Sequence, residues 1–141
     1  MADSKMELKL RLVNEIIALW QELERQIEQA LESPAIDAEL EDHCMATKTK
    51  IAQRKQLAKE MIGDEFNCDG AIVKVLLGVP TLDLFKAQSP IIVANLRNVW
   101  HDAFIALNQL AGSLKIQMTD SPKKDGKKKK GSFLSRLTRR K

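Results

Sequence analysis

The sequence predicts an all-α protein, a small antiparallel helical bundle of three long helices plus a short element, with a disordered basic C-terminal tail. Three observations predict it. Apolar residues recur at three- and four-residue spacing over long stretches. Ser-Pro dipeptides and glycines punctuate those stretches where helices start and stop. Beyond residue 118 the apolar pattern ends and the charge reverses. The expected division is a bundle over 4–118 and, over 119–141, a flexible basic tail ending in a short amphipathic segment.

The first helix, near 5–32, opens on Ser4-Lys5-Met6-Glu7, the S-x-x-E form in which serine caps the helix start and glutamate reaches back. Met6, Val13, Trp20 and Ile27 follow at seven-residue spacing. Leu10, Ile17, Leu23 and Leu31 fill the intermediate turns, so one stripe runs along the helix like a coiled-coil seam. Ser33-Pro34 ends it, because proline restricts the residue before it and has no N–H to donate.

The same dipeptide can start the second helix, near 35–62, with Ser33 as cap and Pro34 in the first turn. Its stripe is weaker: Ile36, Leu40, Cys44, Ile51, Ala58 and Ile62, interrupted at Thr47 and at Arg54 or Lys55. Gly63 serves as its C-terminal cap. The short connection makes these two helices an antiparallel hairpin.

Asn67-Cys68-Asp69-Gly70 is turn chemistry. Ala71 to Leu77 reads as a short helix, since a lone strand would lack a partner. Gly78 and Pro80 close it, and Thr81 to Phe85 supplies one more turn or two. Ser89-Pro90 then begins the third long helix, near 90–118. Val93, Leu96, Trp100, Ala103, Leu107, Leu110, Leu114 and Met118 form its stripe, widened by Ile92, Val99 and Phe104.

Composition bounds the function. The 141 residues suit one domain, and 44% hydrophobic content matches a globular chain. Cys44 and Cys68 form no C-x-x-C unit, so a reducing compartment is the expectation. No apolar run has membrane-spanning length, and Met1 to Lys5 do not lead into a signal core. A cytoplasmic protein is expected, peripheral at a membrane if the tail engages lipid.

Catalytic chemistry finds little support. His43 and Cys44 are neighbours on a helix and point about 100° apart. His43, Cys44, Cys68 and His101 lack the paired spacing of zinc motifs. His101-Asp102 has no nucleophile to complete a set. Gly63, Gly70 and Gly78 are scattered and form no phosphate loop. The expectation is no enzyme, no metal and no cofactor.

The net charge of +4 conceals a division. Residues 119–141 carry ten Lys/Arg against Asp120 and Asp125, a net of +8; residues 1–118 carry thirteen against seventeen acids, a net of −4. Glu22, Glu24, Glu28, Glu32, Asp37, Glu39, Glu41 and Asp42 crowd the first hairpin's turn, as a solvated face or a docking face for something basic. The tail offers Lys123, Lys124, Lys127, Lys128, Lys129, Lys130, Arg136, Arg139, Arg140 and Lys141 to an anion. Phe133, Leu134 and Leu137 would share one side of a helix among them. Anionic lipid, nucleic acid and an acidic protein groove are its candidate acceptors. The tail should be dispensable for folding and essential for localisation, with the acidic turn holding it in reserve. Phosphorylation of Ser132 or Ser135 would weaken its attachment.

The first long helix, the Lys-rich stretch Thr47 to Leu57 and the last helix from Leu96 to Leu110 give the chain a wider likeness. Over roughly Leu8 to Ile116 it resembles the bacterial flagellar export chaperones that serve hook–filament junction proteins. The basic tail departs from that pattern. The resemblance implies a late amphipathic helix that grips an export substrate, here through Ile92, Leu96, Val99, Trp100, Phe104, Leu107 and Leu110. The stripe's width agrees, since the second helix supplies too few apolar residues to cover it. The functional expectation is a helical adaptor or export-type chaperone binding a partner protein's helix in an apolar groove, with homo-oligomerisation as a competing way to bury the surplus. The alternative is a structural or regulatory helical protein recruited by its tail to membrane or nucleic acid.

Overall fold

The computed structural model describes residues 2–119, and the tail residues lie outside them. Five helices follow in order: α1 (Ala2–Glu32), α2 (Ala38–Ile62), α3 (Asp69–Gly78), α4 (Leu82–Lys86) and α5 (Pro90–Thr119), with a 3₁₀ turn at Gly63–Glu65 between α2 and α3. No strand occurs among the described residues. The fold is all-α, with three long helices, and the expected short element is two short helices.

α1 is the central post. Gln26 donates to Thr47 at 3.0 Å and Arg54 donates to Glu15 at 3.1 Å, so α2 runs antiparallel to it on one side. Trp20 meets Trp100 and Arg97 reaches back to Glu24, so α5 runs antiparallel to it on another side. Two neighbours require two apolar faces. The heptad stripe supplies one, and Leu12, Ile16, Leu23 and Ala30, all buried, widen it toward α2.

The second helix hides less apolar surface because polar pairs do part of its packing. Cys44, Thr47, Ile51 and Ala58 are its buried residues. Thr47, expected as an interruption, is buried: its hydroxyl accepts from Gln26 and donates to the His43 carbonyl. Lys55 pairs with Asp69 of α3 at 2.8 Å, which holds the Asp69 carboxyl below its usual range. The basic stretch of α2 is thus partly neutralised within the fold.

Two starts differ from expectation. Ser4 does not cap α1, which is already helical at Ala2; helix-compatible residues precede the serine and nothing forces the chain out there. Ser33-Pro34 ends α1 but does not begin α2. Ser33 donates its hydroxyl to the Gln29 carbonyl at 2.8 Å, completing the first helix, while Asp37 caps the second by accepting from the Leu40 amide at 2.9 Å. Aspartate caps as well as serine does, and Glu39 and Glu41 in the next turn suit the positive end of the helix dipole. Gly63 does cap the C-terminus of α2, at φ 79°, donating its amide to the Lys59 carbonyl.

α3 and α4 close the remaining side. Ile72, Val75, Val79, Leu82 and Phe85 are buried against α1 and α5. Gly78 allows α3 to approach α5: a Cβ there would lie 2.7 Å from a Leu96 methyl. A clasp from α2 holds the turn between α3 and α4. The Glu41 carboxylate accepts the Leu82 and Asp83 amides at 2.8 and 2.9 Å, and Lys48 donates to the Val79 carbonyl at 2.5 Å. Lys86 donates to the Ser33 carbonyl, tying α4 to the loop between α1 and α2. One end of the bundle is therefore built jointly from residues 31–42 and 79–92.

Candidate docking surface

The seven α5 residues expected to form a groove separate into three groups. Trp100, Leu107 and Leu110 are buried in the protein's own core. Leu96, Val99 and Phe104 are half-buried at its margins, and Ile92 is 49% exposed. The correction has a physical cause. The stripe does not face α2, which packs on another side of α1; α1 and α3, with Phe85 of α4, cover it, so most of it never reaches the surface.

Trp100 shows how firmly that core is closed. Its ring lies parallel to Trp20, with centroids 6.1 Å apart, and Phe104 stacks on it at 5.1 Å. Each indole N–H donates to the other tryptophan's backbone carbonyl at 3.0 Å. Beside this pair, Ile27, Val75, Phe85, Leu96 and Trp100 line a cavity of about 10 Å³, room for one water molecule and no substrate.

Leu8, Met45, Leu57, Ile105 and Ile116 are exposed at scattered places, and the two most exposed large apolar side chains, Leu77 and Ile91, belong to the clasped end. Leu77 is 75% exposed at the last turn of α3, Leu84 is 54% exposed on α4, and Ile91 is 72% exposed beside Ile92 at the start of α5. The expected site omitted Leu77, Leu84 and Ile91. A signal for two of them exists in the adjacent apolar pairs Leu76-Leu77 and Leu84-Phe85, whose other members are half-buried and buried, whereas Ile91 and Ile92 are both exposed. Neighbours on a helix point about 100° apart, so a core that holds one leaves the other turned outward.

The acidic turn is more occupied than its composition suggests. Glu41 and Asp37 cap helices, Glu24 and Glu28 pair with Arg97, and Glu22 pairs with Arg25, which holds the Glu22 carboxyl below its usual range. Glu32, Glu39 and Asp42 are exposed. Residues 31–42 and 79–92 together carry six acids and one lysine, Lys86.

His43 and His101 are exposed, whereas Cys44 and Cys68 are buried and free, so the four do not assemble. Among the described residues, no group of three or more His, Cys, Asp or Glu is placed to hold a metal ion. Nor is any described helix long and apolar enough to cross a membrane. Burial pushes both thiols up to about 11. Ellman's reagent at pH 8 should therefore react with both only as the protein unfolds. Because each folded value lies above the ordinary 9.0, the thiols' contribution to stability is full below pH 9 and is lost as pH rises toward about 11. Rapid reaction of either thiol in the native protein would contradict this burial. The expected anion-binding residues, from Lys123 to Lys141, lie outside the described residues.

Comparison with known protein families, with characterised proteins and with solved structures gives no match, so the chain's own residues carry the functional argument.

Proposed function

We propose that this chain is a non-enzymatic helical adaptor or export-type chaperone, and that it receives a helix of a partner protein at the end built by α3, α4 and the start of α5. One observation carries the reading. Leu77, Leu84, Ile91 and Ile92 stay exposed within sixteen residues, at the end of the bundle built by α3, α4 and the start of α5. Large aliphatic side chains gathered on one part of a surface mark a contact site more often than single ones do. A partner helix would use anchors at three- and four-residue spacing, and α5 would offer Ile92, Leu96 and Val99 along its edge. The resemblance to flagellar export chaperones implies a grip by the late helix, and this reading places that grip at the first turns of α5, not at its centre.

A photo-crosslinking residue in place of Ile92 tests this in cells that express the protein naturally. One dominant protein adduct is expected, lost when Leu84→Asp and Ile91→Asp are added while the circular dichroism spectrum and thermal midpoint hold. No adduct, or an adduct indifferent to those changes, would overturn the reading. The second reading, recruitment by the tail to anionic membrane or nucleic acid, rests on the split between a net +8 tail and a net −4 body. Flotation with anionic vesicles and DNA and RNA shift assays across salt address it.

A further inference from the structure

We propose that the occupant of this apolar, acid-rimmed end is the C-terminal segment 131–141 of a second copy of the same chain. The inference rests on the docking role given above and names its partner. Three observations point to it.

The first is chemical fit. The surface offers Leu77, Leu84, Ile91 and Ile92, and residues 31–42 with 74–92 carry six acids against two lysines, Lys86 and the exposed Lys74 one turn before Leu77. Lys86 is engaged by the Ser33 carbonyl, and nearby Lys48 and Arg97 are engaged by the Val79 carbonyl and by Glu24 and Glu28. Glu32, Asp42 and Asp83 are exposed. Segment 131–141 carries the complement: Phe133, Leu134 and Leu137 at helical spacing, with Arg136, Arg139, Arg140 and Lys141 among them. Apolar anchors flanked by cations match apolar sockets flanked by acids.

The second observation is where the described chain ends. α5 begins at this surface and ends at Thr119, at the other end of the bundle. Ile91 and Thr119 are therefore about 42 Å apart, at the helical rise of about 1.5 Å per residue. The third is how much chain remains. Fourteen residues, the number that separates Phe133 from Thr119, span about 20 Å as a random coil and at most about 50 Å when fully extended. Reaching its own acidic end would require that chain to be stretched nearly straight. A neighbouring copy can present the same surface with no such stretch. The contact is thus head to tail between copies, a heterologous arrangement that extends into chains unless it closes into a ring.

Complementation between two full-length variants tests this. Phe133→Asp with Leu137→Asp spoils the tail and leaves the surface; Leu84→Asp with Ile91→Asp spoils the surface and leaves the tail. Sedimentation equilibrium at low salt should show association of the unaltered chain, monomers for either variant alone, and a one-to-one complex when the two are mixed. High salt should weaken that complex at least about tenfold, because the flanking charges are exposed. Serine versions of the surface changes repeat the test if circular dichroism shows that an aspartate version has lost its fold. An unaltered chain that stays monomeric, or variants that do not pair when mixed, would overturn the proposal. So would binding to phosphatidylserine vesicles or to nucleic acid without self-association. A foreign-protein adduct from position 92 in a chain that does not self-associate would leave the docking reading standing and remove the tail as its occupant.

Discussion

Replacing Trp20 by alanine should cost about 3–5 kcal/mol, a large share of the stability of a domain that has about 5–15 in total. Trp20 is fully buried, and its ring is one face of the parallel stack with Trp100. Truncation leaves a void between α1 and α5 at the level where the two helices lock. It also removes the indole that donates to the Trp100 carbonyl, while Trp100 keeps its own bond to the Trp20 backbone. Each of those carbonyls lies inside a helix and can accept a ladder bond with one lone pair and an indole N–H with the other. Trp20→Phe separates the contributions. It keeps an aromatic face against Trp100 and loses the donor, so a smaller loss of about 1–2 kcal/mol is expected from one hydrogen bond and a smaller void. Urea unfolding followed by far-ultraviolet circular dichroism measures both. A Trp20→Ala loss below 1 kcal/mol would mean that the two helices do not depend on this lock.

The long helices were legible because a three-and-four apolar spacing continued over many turns has one economical explanation. Their starts were less so. Ser4 and Ser33 are good caps in isolation, but caps compete, and Asp37 prevailed in a chain that could begin α2 at several places. The packing of α2 was legible only in part, since Gln26 with Thr47 and Lys55 with Asp69 do work that a reading of apolar periodicity assigns to aliphatic side chains. The candidate site shows the sharper limit. The α5 stripe is wide because it packs on both α1 and α3, and width alone does not say what covers it. The segment from Ala71 to Phe85 was too short for its periodicity to reveal that Ile72, Val75, Leu82 and Phe85 would lie against α5 and α1. Once those side chains are inside, their neighbours Leu77 and Leu84 are turned outward, and the proposed docking surface lies at the beginning of α5, not at its middle.

Two aspartate substitutions on α5 should therefore give opposite results, although the sequence alone puts both positions in one groove. Leu107→Asp places a carboxylate where the native side chain is fully buried among Ala103, Leu110 and Leu114 and the facing side of α1. An isolated charge there has no partner, and the lost apolar burial adds to the penalty. The combined cost should exceed about 4–5 kcal/mol, enough to leave the chain largely unfolded or to raise the new carboxyl's pKa until it is neutral. Ile92→Asp changes a side chain that is already half in water, one turn into α5, where a negative charge suits the N-terminal end of the helix dipole. Its stability should stay within about 1 kcal/mol of the unaltered chain. Thermal unfolding of both variants, with association measured for Ile92→Asp, distinguishes core from surface. If Leu107→Asp remains folded, the stripe is open as the sequence first suggests; if Ile92→Asp unfolds, the start of α5 belongs to the core and cannot serve as a docking face.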